Sequence, residues 1–188
     1  LRFFFFFFGK DAYTELVLLS NEKADQNKFE KLVDSLTTVC YRKKRNIMAN
    51  VIYNSFKRDI ANGSIDLDTD TIKLMLVTST YVPNHYTHTR RSDITTEVVG
   101  AGYTAGGATL ANKTVTVNNT TNLAIFDSDD VTIANATITA RGAVLYKSRG
   151  GVATSDELIS YLDFNSDITA TGGNFVITFD ANGILTIS

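Results

Sequence analysis

From Ile72 to Ile187, short apolar runs recur about every ten residues, separated by Gly, Asn, Asp and Ser. A chain written this way alternates pleated segments with reversals. It leaves no place for the recurring helices that a parallel α/β sheet requires. The runs are 72–77, 114–117, 123–126, 131–133, 137–139, 143–146, 158–164, 175–179 and 184–187. Nine short strands joined by turn signals predict a mainly β fold, an antiparallel β-sandwich or small barrel. Ile72-Lys73-Leu74-Met75-Leu76-Val77 reads as a mostly buried strand, ended by Ser79, Thr80 and Pro83. The final two runs form the clearest expected hairpin. Phe175, Ile177 and Phe179 share a face, and Asp180-Ala181-Asn182-Gly183 turns the chain towards Ile184–Ile187.

Upstream of Leu67 the period changes from 2 to 3.6. Ile52, Phe56 and Ile60 recur at four-residue spacing, which predicts one short N-terminal helix over 51–61. Asn50 is its expected N-cap, and Gly63 is placed to take the left-handed position after its end. With 188 residues, 44% hydrophobic and 20% charged, the chain can bury a core of ordinary size in one domain. Its single cysteine, Cys40, rules out a disulfide within the chain, so the core must supply the stability. That suits assembly in a reducing cytoplasm.

Charge divides the chain at about Met48. Residues 1–47 carry nine Lys/Arg against six Asp/Glu, a net of +3. Residues 48–188 carry nine against fourteen, a net of −5. An acidic main domain repels a phosphate backbone, so direct nucleic-acid binding is not expected of it. Residues 1–47 read as a non-native extension, helical over 11–41 or disordered. The Phe3–Phe8 run has six residues, against the ~20 needed to span a bilayer, so no membrane partner is expected. Arg42-Lys43-Lys44-Arg45 stands just ahead of Met48. Purine-rich codons for Lys and Arg also read as a ribosome-binding sequence, which makes Met48 the expected natural start and 1–47 an upstream over-reading. The functional alternative is a basic arm that touches nucleic acid or a membrane surface.

Several constellations bear on chemistry. Asp66, Asp68 and Asp70 alternate as in calcium loops, but Ile72 and Lys73 occupy places where an EF-hand pattern would continue, so a solvated turn is expected. Asp127, Asp129 and Asp130 read as a second turn. His85 and His88 lack the third ligand that a zinc site needs. With Tyr86, Arg90 and Arg91 they form instead the expected partner-contact loop, between about Asn84 and Asp93. Gly100–Gly107 has no Gly-Lys-Ser/Thr and serves better as a sharp bend than as a phosphate cradle. Arg141 and Gly142, then Lys147 to Gly151, place positive charge at expected turns, either to pair with acidic groups of adjoining subunits or to blunt sheet edges. No catalytic, cofactor or metal-binding residue is assigned.

The segment Met48–Gly63 resembles the opening of small structural proteins encoded by tailed bacteriophages and prophages. So do Ile65–Leu67, Leu74–Thr78, Gly102–Gly107, Ala140–Tyr146, Leu158–Phe164 and Gly172–Phe179. The likeness spans 48–188 and none of 1–47. It implies a non-enzymatic virion protein, assembled in the host cytoplasm as a capsid-decoration or head–tail component. Its implied partners are other virion proteins and further copies of itself. The alternative is a tail-fibre tip that binds a host-surface glycan, with Tyr81, Tyr86 and Tyr103 on loops stacking on sugars. A cell-wall hydrolase would need two carboxylates brought together in a cleft.

Overall fold

The computed structural model describes residues 46–47 and 51–188. Strands β1 (Asn46–Ile47) and β2 (Val51–Ile52) precede helix α1 (Asn54–Ala61). Then come β3 (Ile72–Val77), β4 (Ala108–Thr109), β5 (Thr114–Asn118), β6 (Leu123–Asp127), β7 (Val131–Lys147), β8 (Glu157–Phe179) and β9 (Leu185–Ile187). Among the described residues the fold is mainly β, with two sheets and one short α-helix, as the apolar pattern predicts. The expectations for the Phe3–Phe8 run, the 11–41 helix, Cys40, the Arg42–Arg45 cluster, Met48 and Asn50 fall on residues outside those described.

The larger sheet runs in the order β1-β8-β7-β3-β4, with β2 also on β8. Its centre is antiparallel, and only the two-residue β1 runs parallel, beside Thr178 and Phe179. The smaller sheet is β5-β6-β9. A main core contains Leu74, Leu76, Leu145 and Ile159 of the large sheet and Phe126 and Leu185 of the small one, with Phe56 from α1. A second cluster of Tyr53, Met75, Val77, Val144, Tyr146, Leu158 and Tyr161 includes Tyr81 and Ile94 from the loop after β3. Neighbours along β3 therefore belong to different clusters. That is why Ile72–Val77 reads as an unbroken apolar run and not an alternating one.

Three expectations need correction. The first concerns the helix, which starts at Asn54 and not at 51. β-branched Val51 and Ile52 pair instead with Tyr161 and Ser160 of β8, where extended residues of this kind fit best. Tyr53 is the N-cap and uses no side-chain bond. The amides of Tyr53 and Asn54 donate to the carbonyls of Ile159 and His85, at 3.2 and 3.0 Å. Gly63 does take positive φ, +73°.

Second, the runs at 131–133, 137–139 and 143–146 are one strand of 17 residues, and those at 158–164 and 175–179 are one of 23. The Asn and Gly between them do not reverse the chain. Asn135 (φ 52°), Asn165 (φ 62°) and Gly172 (φ 67°) take left-handed conformations inside the ribbon. The β7–β8 register slips between Ile133 and Ala136, and again at three later points. A bulge and a turn draw on the same residue types, so the sequence does not separate them. Arg141 and Gly142 accordingly lie within β7 and not at a turn.

Third, Phe175–Phe179 and the last strand do not form a hairpin. Leu185–Ile187 pairs with β6, Phe126 opposite Leu185 and Ala124 opposite Ile187. The corner at 180–183 carries the chain from one sheet to the other. Gly183, at φ +96°, lies against Phe126 and Ile125, where a Cβ would collide, and the Ile184 amide donates to the Phe126 carbonyl at 2.8 Å.

Candidate functional site

The expected contact loop leaves β3, turns at Asn84 and returns to the sheet at Arg90. Asn84 sets the turn, because its Oδ1 accepts the amides of Tyr86 and Thr87 at 3.0 and 3.2 Å. Asp93 sets the return by accepting the amides of Thr89 and Arg90 at 2.7 and 2.9 Å. Burial alone would raise the Asp93 pKa. These amides and the nearby His88 outweigh it and hold the carboxyl below its ordinary value.

Arg90 and Arg91 point inward. The guanidinium of Arg91 donates to the Asp156 carboxylate at 2.7 Å and lies over the Tyr146 ring, 5.4 Å from its centre. Arg90 lies 2.9 Å from Glu157, and Arg149 grips the same carboxylate with bonds of 2.7 to 3.0 Å. Asp156 and Glu157 are themselves buried, 1% and 5% exposed. Burial pushes the Glu157 pKa up, but the hydrogen bonds from Arg149 and the ion pair with Arg90 more than reverse it and hold it below the ordinary value. Two arginines from the loop and one from the β7–β8 connection thus converge on two adjacent acids at the start of β8. Main-chain bonds reinforce this, with Arg91 donating to the Asp156 carbonyl and Ser92 to that of Ala153.

The histidines divide. His88 Nδ1 lies 3.0 Å from the Tyr81 hydroxyl, which lies 2.6 Å from that of Tyr53. Burial raises the Tyr81 pKa to about 12, and it raises Tyr53 further still, so the chain of hydroxyls is protonated at neutral pH. His85 stacks on Tyr86, ring centres 3.8 Å apart. The outer surface therefore falls to Tyr86, 74% exposed, and Val82, 76% exposed. Val152, in the adjoining β7–β8 connection, is 69% exposed.

The five loop residues expected from the sequence are thus brought together, but in two roles. Arg90, Arg91 and His88 anchor the loop, while Tyr86, backed by His85, faces outward. Sequence reasoning missed Asp156 and Glu157, the other half of both arginine anchors, and it missed Val82 and Val152. A signal was present for Val152, a branched apolar residue among Gly, Ala, Thr and Ser, but not for Val82, which stands between Tyr81 and Pro83. Asp156 and Glu157 gave none, because a polar loop before a strand normally carries exposed acids.

Other expectations resolve against solvent or partner roles. Tyr103 is not a loop platform. Its hydroxyl donates to Glu97 at 2.8 Å and accepts the Leu76 amide at 3.0 Å. Tyr81 is 7% exposed. Arg141, Lys147 and Arg149 find acids within the chain, at Asp163, Asp70 and Glu157. Asp66 accepts the amides of Asp68 and Thr69, and Asp70 accepts the amide of Asp66 as well as Lys147. In the second cluster, Asp127, Asp129 and Asp130 bond Ser128, Asn112 and the Phe179 amide. Gly107 packs directly on the Leu74 carbonyl at φ +73°, which gives the glycine-rich bend its structural purpose. Among the described residues, no helix is long and apolar enough to cross a membrane. A scan against protein-family models and searches of curated proteins and of solved structures found no match for the chain.

Proposed function

We propose that residues 48–188 serve as a structural protein of the tailed-bacteriophage particle, a capsid-decoration or head–tail component that works through protein–protein contacts. The reading starts from the likeness of Met48–Gly63 and the six later segments to virion proteins. The observation that carries it beyond that likeness is the anchoring of the 81–94 loop. Buried acids hold Arg90 and Arg91 from beneath, so Tyr86 and Val82 are presented on a fixed support. A pre-ordered loop loses little entropy on binding, which suits a subunit whose weak contacts are multiplied across many copies. The partners are other virion proteins. Against the fibre-tip alternative, Tyr81 is buried, and half-buried Tyr103 has its hydroxyl committed to Glu97 and the Leu76 amide.

Purified particles from the phage or induced prophage that encodes the chain provide the test. Antibody labelling in electron micrographs is expected to decorate the particle, and the chain is expected to co-sediment with it. A chain found only in the soluble fraction ends the proposal. Within particles, Tyr86→Ala is expected to lower occupancy about tenfold, as loss of an aromatic anchor does, while leaving the melting temperature unchanged.

A further inference from the structure

The smaller sheet ends in an edge that no strand covers among the described residues. β5 pairs with β6 on one side, in regular register from Thr114 opposite Asp127 to Asn118 opposite Leu123. Its other side has no strand partner among the described residues. Natural edges are blunted with charge, proline or bulges. Here residues 114 to 126 contain no charged residue and no proline, and β5 shows no register slip. The free edge of β8 differs. Between β2 and β1 it is interrupted by the left-handed Asn165 and Gly172.

The side chains of β5 add an apolar strip. Val115 lies opposite Phe126 and Val117 opposite Ala124, so both valines share the face that Phe126 turns into the core. Phe126 is 1% exposed, yet Val115 is 46% and Val117 70% exposed. The strand overhangs the core with its apolar face uncovered.

The order of residues says what fits there. Thr114-Val115-Thr116-Val117-Asn118 is nearly the same read from either end. We propose that two copies of the chain pair through β5, antiparallel about a two-fold axis at Thr116, joining their small sheets into one of six strands. Thr116 then faces its own copy, Val115 faces Val117 of the other copy, and Thr114 faces Asn118. Apolar and hydroxyl cross-strand pairs of this kind are favourable, and an isologous contact closes without propagating. Charge permits the approach. Lys113 falls opposite Asn119, which leaves the two lysines six positions apart, ~20 Å along the ribbon and beyond the screening length. Five residues a side cover far less than the ~800 Å² per partner of a standard interface, so the pair is weak in isolation, with Kd on the order of 100 μM. The inference is independent of the virion reading, since it concerns the isolated chain.

Sedimentation equilibrium of the full chain from ~10 μM to ~1 mM tests it. The wild-type chain is expected to dimerise across this range. Thr116→Lys and Thr116→Glu each bring like charges face to face on the axis, and each is expected to weaken dimerisation at least about tenfold. An equimolar mixture of the two restores it. Val117→Lys, at a second exposed edge position, weakens it as well, and thermal melting confirms that every variant is folded. A wild-type chain that stays monomeric overturns the proposal. So do Thr116 variants that associate normally, or a mixture that fails to recover.

Discussion

The β7–β8 ribbon is two structures joined end to end. In its first half, Gly142–Lys147 pairs with Glu157–Asp163 and is flanked by β3 on one side and β2 on the other. Neighbouring residues there are buried on opposite faces: Leu145 and Ile159 in the main core, Val144, Tyr146 and Leu158 in the tyrosine-rich cluster. In its second half, Val131–Ala140 pairs with Ile168–Ile177 and alternates, with Ile133 and Ile138 buried and Thr132 and Thr139 exposed. One half is a layer within the protein and the other is a wall with an outside. The buried ion pairs gather at the first half because its connecting loops cross a sheet with no open face to spare.

Core truncations should separate the halves most strongly. Leu145→Ala opens a cavity between packed layers and is expected to cost about 4 kcal/mol by chemical denaturation. Ile138→Ala lies on a wall that can relax towards solvent and should cost about 2.5 kcal/mol. Equal losses would erase the distinction.

Next in size is Glu157→Gln, which leaves Arg90 and Arg149 facing a neutral amide. The cost is about 2 kcal/mol, kept at the low end because both arginines are partly exposed. It also carries a pH signature. The folded pKa of Glu157 lies below its ordinary 4.5, so its contribution is complete above that value and is lost as pH falls through the folded pKa. Melting temperatures of the two proteins should therefore converge on acidification from pH 5 to 3. A constant gap would remove the ion pair as the cause.

Smallest is the outside of the wall. The hydroxyls of Thr139 and Thr169 lie 2.8 Å apart in an exposed cross-strand pair, and Thr139→Val should change stability by less than about 0.5 kcal/mol. A larger loss in the melting curve would mean that this face is not open in solution.

The comparison also explains what could be read from the sequence. Ile72–Val77 is visible to the residue, because burial on two faces leaves a run with no polar interruption beyond Lys73. β5 and β6 were located within a residue, since turns rich in Asn and Thr bound them. The long strands look broken in sequence, because Asn135, Asn165 and Gly172 carry the same signal whether the chain bulges or reverses. The final strand was paired with its neighbour in sequence, although its true partner, β6, is settled by Phe126 and Ile184 packing across the two sheets. At the loop, the sequence marked Arg90, Arg91 and both histidines as a group. It did not reveal that the arginines face inward, because Asp156 and Glu157 lie some 65 residues away along the chain.

The corner at Asp180–Gly183 has a consequence for how the protein is made. Leu185–Ile187 completes a sheet whose other two strands emerge from the ribosome about 60 residues sooner. At 5–20 residues per second, that hairpin, uncharged from 114 to 126, waits several seconds without its third strand. Pairing of Leu185–Ile187 closes the β6 flank of that hairpin and leaves the β5 edge open, so chaperone cover over 114–126 during synthesis is expected to raise yield.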